Sequence, residues 1–281
     1  MLTPQLARFH SDLGQAIAAY RFLISQGHSK QELDYLAYTT IYCCRQFYTE
    51  GMEHPRYQRQ FFDYAFFRHI FKTTDFPKSR VIGNPSLKTS GDGISFIEDV
   101  EVDPSAAAPS VKRSPGFIYR SWGSLTNDDE IRRIYLSIVP YEARFAAVEL
   151  FARLAQKIPG FDLKLLANPR SYARFDACVI YTPRTHFDAA LAIVLAALDR
   201  AEMRVRQAWP LGTGVIVPGV AYADNPPPLA GQQVSYGQWI VRLIADAVQF
   251  KQQSQVEDGV LAALVQHGWN PDRPFERLTP G

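Results

Sequence analysis

The sequence predicts an α+β fold in which N-terminal helices precede a mainly antiparallel sheet flanked by helices. Three observations lead there. Apolar residues recur at helical spacing through residues 3–72, segments of period-two alternation gather between 117 and 182, and helices and strands come in blocks rather than in strict βαβ alternation. The chain divides on this reading into an N-terminal helical region, 1–75, and an α+β domain, 76–281, packed as one unit.

Taken in order, Leu6, Phe9, Leu13, Ile17 and Phe22 form one helical stripe, and further helical segments run through Tyr48 and Ile70. The aromatic run Phe61-Phe62-Asp63-Tyr64-Ala65-Phe66-Phe67 reads as a helix packed into the core, with a ligand groove or partner surface as the other reading. Turns are predicted over 77–93, and Ala106-Ala107-Ala108-Pro109-Ser110 reads as a loop. Strands follow at 117–122 and 131–139. Pro140 introduces a helix at 141–157 that Pro159-Gly160 stops. Strands at 161–166 and 174–182 precede a helix at 186–203 with Thr185 as its cap. A turn-rich stretch spans 210–228, Ser235 caps a helix at 236–253, and a last helix, 256–267, ends at Gly268.

Composition narrows the class. At 281 residues, with 47% apolar and 21% charged residues, the chain has material for a sizeable core and is not disordered. No run of about 18 apolar residues offers a membrane span. The start, Met1-Leu2-Thr3-Pro4-Gln5, lacks the basic and apolar regions of a cleaved signal, so a cytoplasmic location is expected, with no membrane partner. Cys43, Cys44 and Cys178 form no CxxC pair, as expected for reduced thiols. A net charge of +2 is too small to point to nucleic acid, so any positive field is local.

Several familiar chemistries find no support. Gly212-Thr213-Gly214 and Gly91-Asp92-Gly93 lack the spacing of phosphate-binding loops and read as turn glycines. The six histidines form no HxxxH or HExxH pair, so neither metal nor another cofactor is expected. No GxSxG elbow occurs. Cys178 with His186 makes a poor thiol pair, because Cys178 lies mid-strand, where a small buried residue is the commoner occupant.

What remains is one polar strand face. Ile134, Leu136 and Ile138 point one way, and Arg133, Tyr135 and Ser137 the other. Lys164 on the next strand, Arg174 with Asp176 on a third, and Arg120 before them extend the ionisable set. Two readings stand: a surface face with solvated salt bridges, or a site for an anionic substrate. The mixture of types favours the second. Arginines grip phosphate in forked geometry, a lysine crowded by them loses affinity for its proton and becomes a usable base, and Asp176 holds Arg174 in position.

At these residues the chain resembles the HopA-type proteins, named after a type III secretion effector of plant-pathogenic bacteria. The resemblance covers roughly residues 90–250. It rests on the ordered series Phe117-Ile118-Tyr119-Arg120, Arg133-Ile134-Tyr135, Phe161-x-x-Lys164, Pro169-x-x-Tyr172-x-Arg174-x-Asp176-x-x-Val179-x-Tyr181, Pro218-Gly219 with Ala223-Asp224-Asn225-Pro226, and Ser235-Tyr236-Gly237-x-x-x-x-Arg242. Family members outside pathogens resemble stand-alone lyases of ribosomal peptide natural-product pathways, those of class V lanthipeptides and thioamide-containing peptides. There a separate phosphotransferase-like kinase phosphorylates Ser or Thr of a precursor peptide, and the HopA-type protein eliminates phosphate to leave dehydroalanine or dehydrobutyrine. A more distant similarity is to phosphothreonine lyases among secreted effectors, which use a lysine base and a histidine acid on a K-x-H strand. Here Arg133-Ile134-Tyr135 occupies the comparable strand.

The resemblance therefore implies Lys164 as base, Tyr135 as acid with His186 as the second candidate, and Arg120, Arg133, Arg174 and Arg242 as phosphate clamps. Asp176 and Tyr181 are supporting residues. β-Elimination needs a base for the α-proton, a donor for the leaving phosphate and cationic clamps, and this set supplies all three without a cofactor. The other reading is a non-enzymatic, effector-like protein whose basic face binds a host or regulatory partner.

Overall fold

The computed structural model describes residues 3–46, 62–73, 78–80, 87–89, 94–97, 116–125, 131–227, 234–250 and 255–278. The predicted loop at 106–110 and Gly91-Asp92-Gly93 lie outside these. The chain forms two compact units, one of Met1–Gln58 with Ala208–Gly281 and the other of Arg59–Gln207.

The first unit begins with α1 (Pro4–Ser25), whose entry is set by the Thr3 hydroxyl accepting from Leu6 N and by Pro4 in the first turn. Next comes α2 (Lys30–Leu36), closed by a Ser29/Glu32 capping box and continuing into a π-helical turn, Ala37–Tyr42. At the other end of the chain α7 (Tyr236–Phe250) and α8 (Val256–Gln266) join them. Ser235 caps α7 as predicted: its Oγ accepts from Gln238 N at 3.1 Å, while Gln238 Oε1 accepts from Ser235 N at 2.9 Å. Tyr42, Tyr236, Trp239 and Trp269 form the aromatic core, with ring centroids 5.1 Å apart for the two tryptophans. The stretch predicted as turns at 210–228 holds a hairpin, β8 (Gly214–Val217) and β9 (Val220–Asp224), closed at Pro218-Gly219 with Gly219 at φ +85°. Two more short strands, β10 (Trp269–Asn270) and β11 (Arg273–Arg277), pair at the C-terminus.

The second unit is the sheet. Its elements are α3 (Tyr64–Phe71), β1 (Lys78–Arg80), β2 (Leu87–Thr89), β3 (Ile94–Ile97), β4 (Phe117–Trp122), β5 (Ile131–Leu136), α4 (Ala143–Phe145), α5 (Phe151–Ala155), β6 (Phe161–Leu166), β7 (Cys178–Pro183) and α6 (Phe187–Asp199). Within the unit the strand order is β1-β2-β3-β4-β6-β7-β5, with adjacent strands antiparallel. The α+β architecture is thus the one the sequence predicts. The strands β1 and β2 fall where turns were expected, because three-residue strands are too short to show a period.

Three local expectations change. The helix predicted at 141–157 is interrupted by a π-turn, Ala146–Leu150, between α4 and α5. The predicted strand at 174–182 starts at Cys178, since Asn168 caps a 3-10 turn at Pro169–Ala173 and residues 174–177 remain in turn conformation. The predicted Thr185 cap is replaced by a 3-10 turn, Arg184–His186, which puts His186 at the N-cap of α6 with no side-chain cap bond.

Helices cover one face of this sheet. Phe96 of β3 stacks on Phe62 at 4.0 Å, Phe161 of β6 packs on Phe151 of α5 at 4.9 Å, and Arg132 of β5 lies 4.8 Å over Phe187 of α6. The aromatic run before and within α3 is therefore core, where it was described, rather than a groove. Among the described residues no helix is long and apolar enough to cross a membrane.

Candidate functional site

Strand register assembles the site. Directly paired residues of an antiparallel sheet share a face, so Tyr119, Lys164, Val179 and Tyr135 form one row across β4, β6, β7 and β5. Ser121, Asp162, Tyr181 and Arg133 form the next row on the same face. This is the face opposite the helices. It is buried rather than solvated: Lys164 is 7% exposed, Arg133 6%, Tyr119 5% and Tyr135 4%, whereas Tyr181 and Asp162 are partly open.

The Lys164 amine lies 3.7 Å from the Phe117 ring centroid and 5.8 Å from that of Tyr119. Arg174 reaches the same Phe117 ring at 5.4 Å, and Arg133 lies over Tyr181 at 5.1 Å, so the two guanidinium groups approach the row of Lys164 from its two sides. Arg174 is bound in forked geometry by Asp176, Nε to Oδ1 at 2.8 Å and Nη2 to Oδ2 at 2.6 Å. The turn carrying both is secured from outside. Arg206 donates to the carbonyls of Ala173 and Arg174 and lies over Phe175, while the Tyr172 hydroxyl donates to Leu166 O at 3.0 Å.

Burial holds the Lys164 amine below the ordinary lysine value; Arg174 and Arg133 push the same way, against the opposing pull of Tyr181 and Asp176. Burial also raises Tyr181, against Lys164 and Arg133, which lower it. An amine that gives up its proton readily and a phenol that keeps its own thus sit side by side, with cations at hand. Such an arrangement can take a proton from carbon and give one to an anionic leaving group.

Of the predicted residues, Lys164, Tyr135, Arg133, Arg174, Asp176 and Tyr181 come together. Arg120 does not: it is one residue off the face of Tyr119, on the helix-covered side, donating to Ala147 O at 2.5 Å with its guanidinium 3.9 Å over Phe151. Arg242 belongs to the other unit, on α7, where its Nε bonds Asp246 at 3.1 Å and its charge acts on Tyr20 and Asp34. His186 stands past the end of β7, in the 3-10 turn Arg184–His186 that leads into α6. The alternation of 117–122 puts Tyr119 and Arg120 on opposite faces, and the pairing of β4 with β6 makes Tyr119 the one beside Lys164.

Cys178 is fully buried on the helix side of β7 and its thiol is pushed far up by burial, which disfavours thiolate chemistry. Gly212 lies in a turn with φ +72°, the Thr213 hydroxyl donates to Pro210 O at 2.7 Å, and Gly214 opens β8. Among the described residues no group of three or more His, Cys, Asp or Glu is placed to hold a metal ion.

The model of the HopA1 effector protein family matches residues 108–275. The chain belongs to this family. Two solved structures are similar over nearly its whole length. The effector protein from Pseudomonas syringae pv. tomato strain DC3000 has a TM-score of 0.55 at 16% identity, covering 96% of this chain and 100% of that one. The effector protein from Pseudomonas syringae pv. syringae strain 61 has a TM-score of 0.57 at 16% identity, covering 99% and 100%. At such identity the likeness is one of fold. A comparison with curated proteins gives no match.

Proposed function

We propose that this HopA1-family protein is a carbon–oxygen lyase that eliminates phosphate from phosphoserine or phosphothreonine of a precursor peptide, leaving dehydroalanine or dehydrobutyrine. The reading rests on one observation: a buried lysine of lowered proton affinity shares a sheet face with Arg133 and three tyrosines, and Arg174 reaches the same Phe117 ring from the adjoining turn. Lys164 removes the α-proton, a phenol on the same face protonates the departing phosphate, and Arg133 and Arg174 supply positive charge as the leaving group gains negative charge. A separate kinase supplies the phosphorylated peptide. The test is to incubate the protein with phosphorylated candidate peptides and follow loss of phosphoric acid by mass spectrometry; intact phosphopeptide after long incubation would sink the proposal.

A second reading has one specific support, the effector proteins that share the fold. On it the basic face binds a host or regulatory protein without chemistry. Equal affinity for phosphorylated and unphosphorylated peptide in calorimetry, together with no elimination, favours this reading.

A further inference from the structure

Resting on the lyase reading, we infer that Tyr181, not Tyr135 or His186, is the proton donor to the leaving phosphate, and that Arg133 and Tyr181 together form the phosphate end of the site. Three observations carry it.

The first is spacing. In β-elimination the proton removed and the oxygen that leaves sit on adjacent carbons, so base and acid must act a few ångströms apart. Lys164 and Tyr135 are both paired with Val179, one on each side. Their backbones thus stand two inter-strand spacings apart, about 10 Å. Tyr181 is on the strand next to Lys164, one diagonal step along, roughly 7–8 Å away and within reach of long side chains. The second is access. Lys164, Tyr119, Tyr135 and Arg133 are all less than a tenth exposed, while Tyr181 and its partner Asp162 are partly open as residues, the Tyr181 phenol itself lying buried, so a peptide side chain meets the site from the Tyr181 end. The third is charge. Arg133 is the direct cross-strand partner of Tyr181 and lies over its ring, which puts a guanidinium beside the phenol.

The step balances. The Lys164 amine takes the α-proton, the C–H electron pair becomes the second bond of Cα=Cβ, the Cβ–O bond breaks, and the phosphate leaves with the Tyr181 proton as hydrogen phosphate. The Lys164 ammonium then returns a proton to the Tyr181 phenolate, restoring both groups.

The experiment compares wild type with Tyr181→Phe, Tyr135→Phe and Tyr119→Phe on a phosphoserine peptide and on the matching O-sulfoserine peptide. Sulfate leaves without needing a proton. Tyr181→Phe should lower the rate on phosphopeptide by roughly 10²–10⁴, the range for a positioned acid, and should come within about tenfold of wild type on the sulfated peptide. Its deficit on phosphopeptide should also shrink as the pH falls below about 6, where the phosphate monoester carries its own proton. A folding defect would depress both substrates equally, so the substrate ratio separates the roles. Rescue by sulfate in Tyr135→Phe or Tyr119→Phe but not in Tyr181→Phe overturns this assignment and leaves the lyase reading standing. A wild-type protein that eliminates neither group overturns both.

Discussion

Lys164 joins fold and proposed chemistry in a single side chain. Its amine is buried over Phe117 and held below its usual proton affinity, chiefly by burial. In the unfolded chain it keeps its proton up to the ordinary value of 10.5. Between the lowered value and that one the unfolded state binds more protons than the fold, so this group's contribution to stability rises with pH across the window. Lys164→Met should therefore abolish elimination yet melt at or above the wild-type temperature near neutral pH. The margin should narrow as pH climbs to the ordinary lysine range; calorimetric melts across pH check it, and a large loss of stability at neutral pH would contradict the account. The Arg174–Asp176 pair behaves oppositely. Both are buried and bound by two hydrogen bonds, so Asp176→Ala strands a buried guanidinium and should cost about 3–5 kcal/mol in denaturant unfolding. Arg174→Lys, which keeps charge but not the fork, should also be poorly tolerated.

Among the elements, α7 shows how close packing and local signals combine. A Cβ on Gly237 would come within 2.2 Å of the buried Tyr42 ring, so Gly237→Ala should destabilise by about 1–3 kcal/mol, although alanine is the better helix former. Ser235→Ala, which removes only the capping box, should cost about 1 kcal/mol. Urea midpoints of the two variants would show the order, and a Gly237→Ala protein as stable as wild type would contradict the packing. The same contrast explains what was readable. Ser235 is a local capping signal, and the sequence places the start of α7 from it; the structure adds Gln238 as its partner. The turn at 169–177 was not readable, because Arg206, more than thirty residues away in sequence, helps to hold its carbonyls.

At the scale of the whole molecule, the first unit is built from both ends of the chain, with α1 and the Ala37–Tyr42 turn against α7. That arrangement gives Arg242 its place, beside Tyr20 of α1 and Asp34 of α2, which its charge reaches. A chemistry of lysine, phenol and guanidinium asks for no cofactor. Elimination from prephosphorylated peptide should survive EDTA and need no nucleotide, while unphosphorylated peptide should react only when a kinase and ATP are supplied. Loss of activity on prephosphorylated peptide after chelation would overturn this mechanism.

The sequence by itself determined the α+β class, the strands at 117–122 and 161–166, and the polar parity of Arg133, Tyr135 and Lys164, because alternation and capping are written in neighbouring residues. Only the tertiary structure decided which strands stand side by side, and register is a property of pairs of strands rather than of either one. It removed Arg120 to the helix-covered face, put Tyr119 opposite Lys164, set Tyr135 one strand further off, and brought Tyr181 next to both Arg133 and the lysine. The burial that makes Lys164 give up its proton was decided there too, since desolvation depends on what packs around an amine and not on its neighbours in sequence.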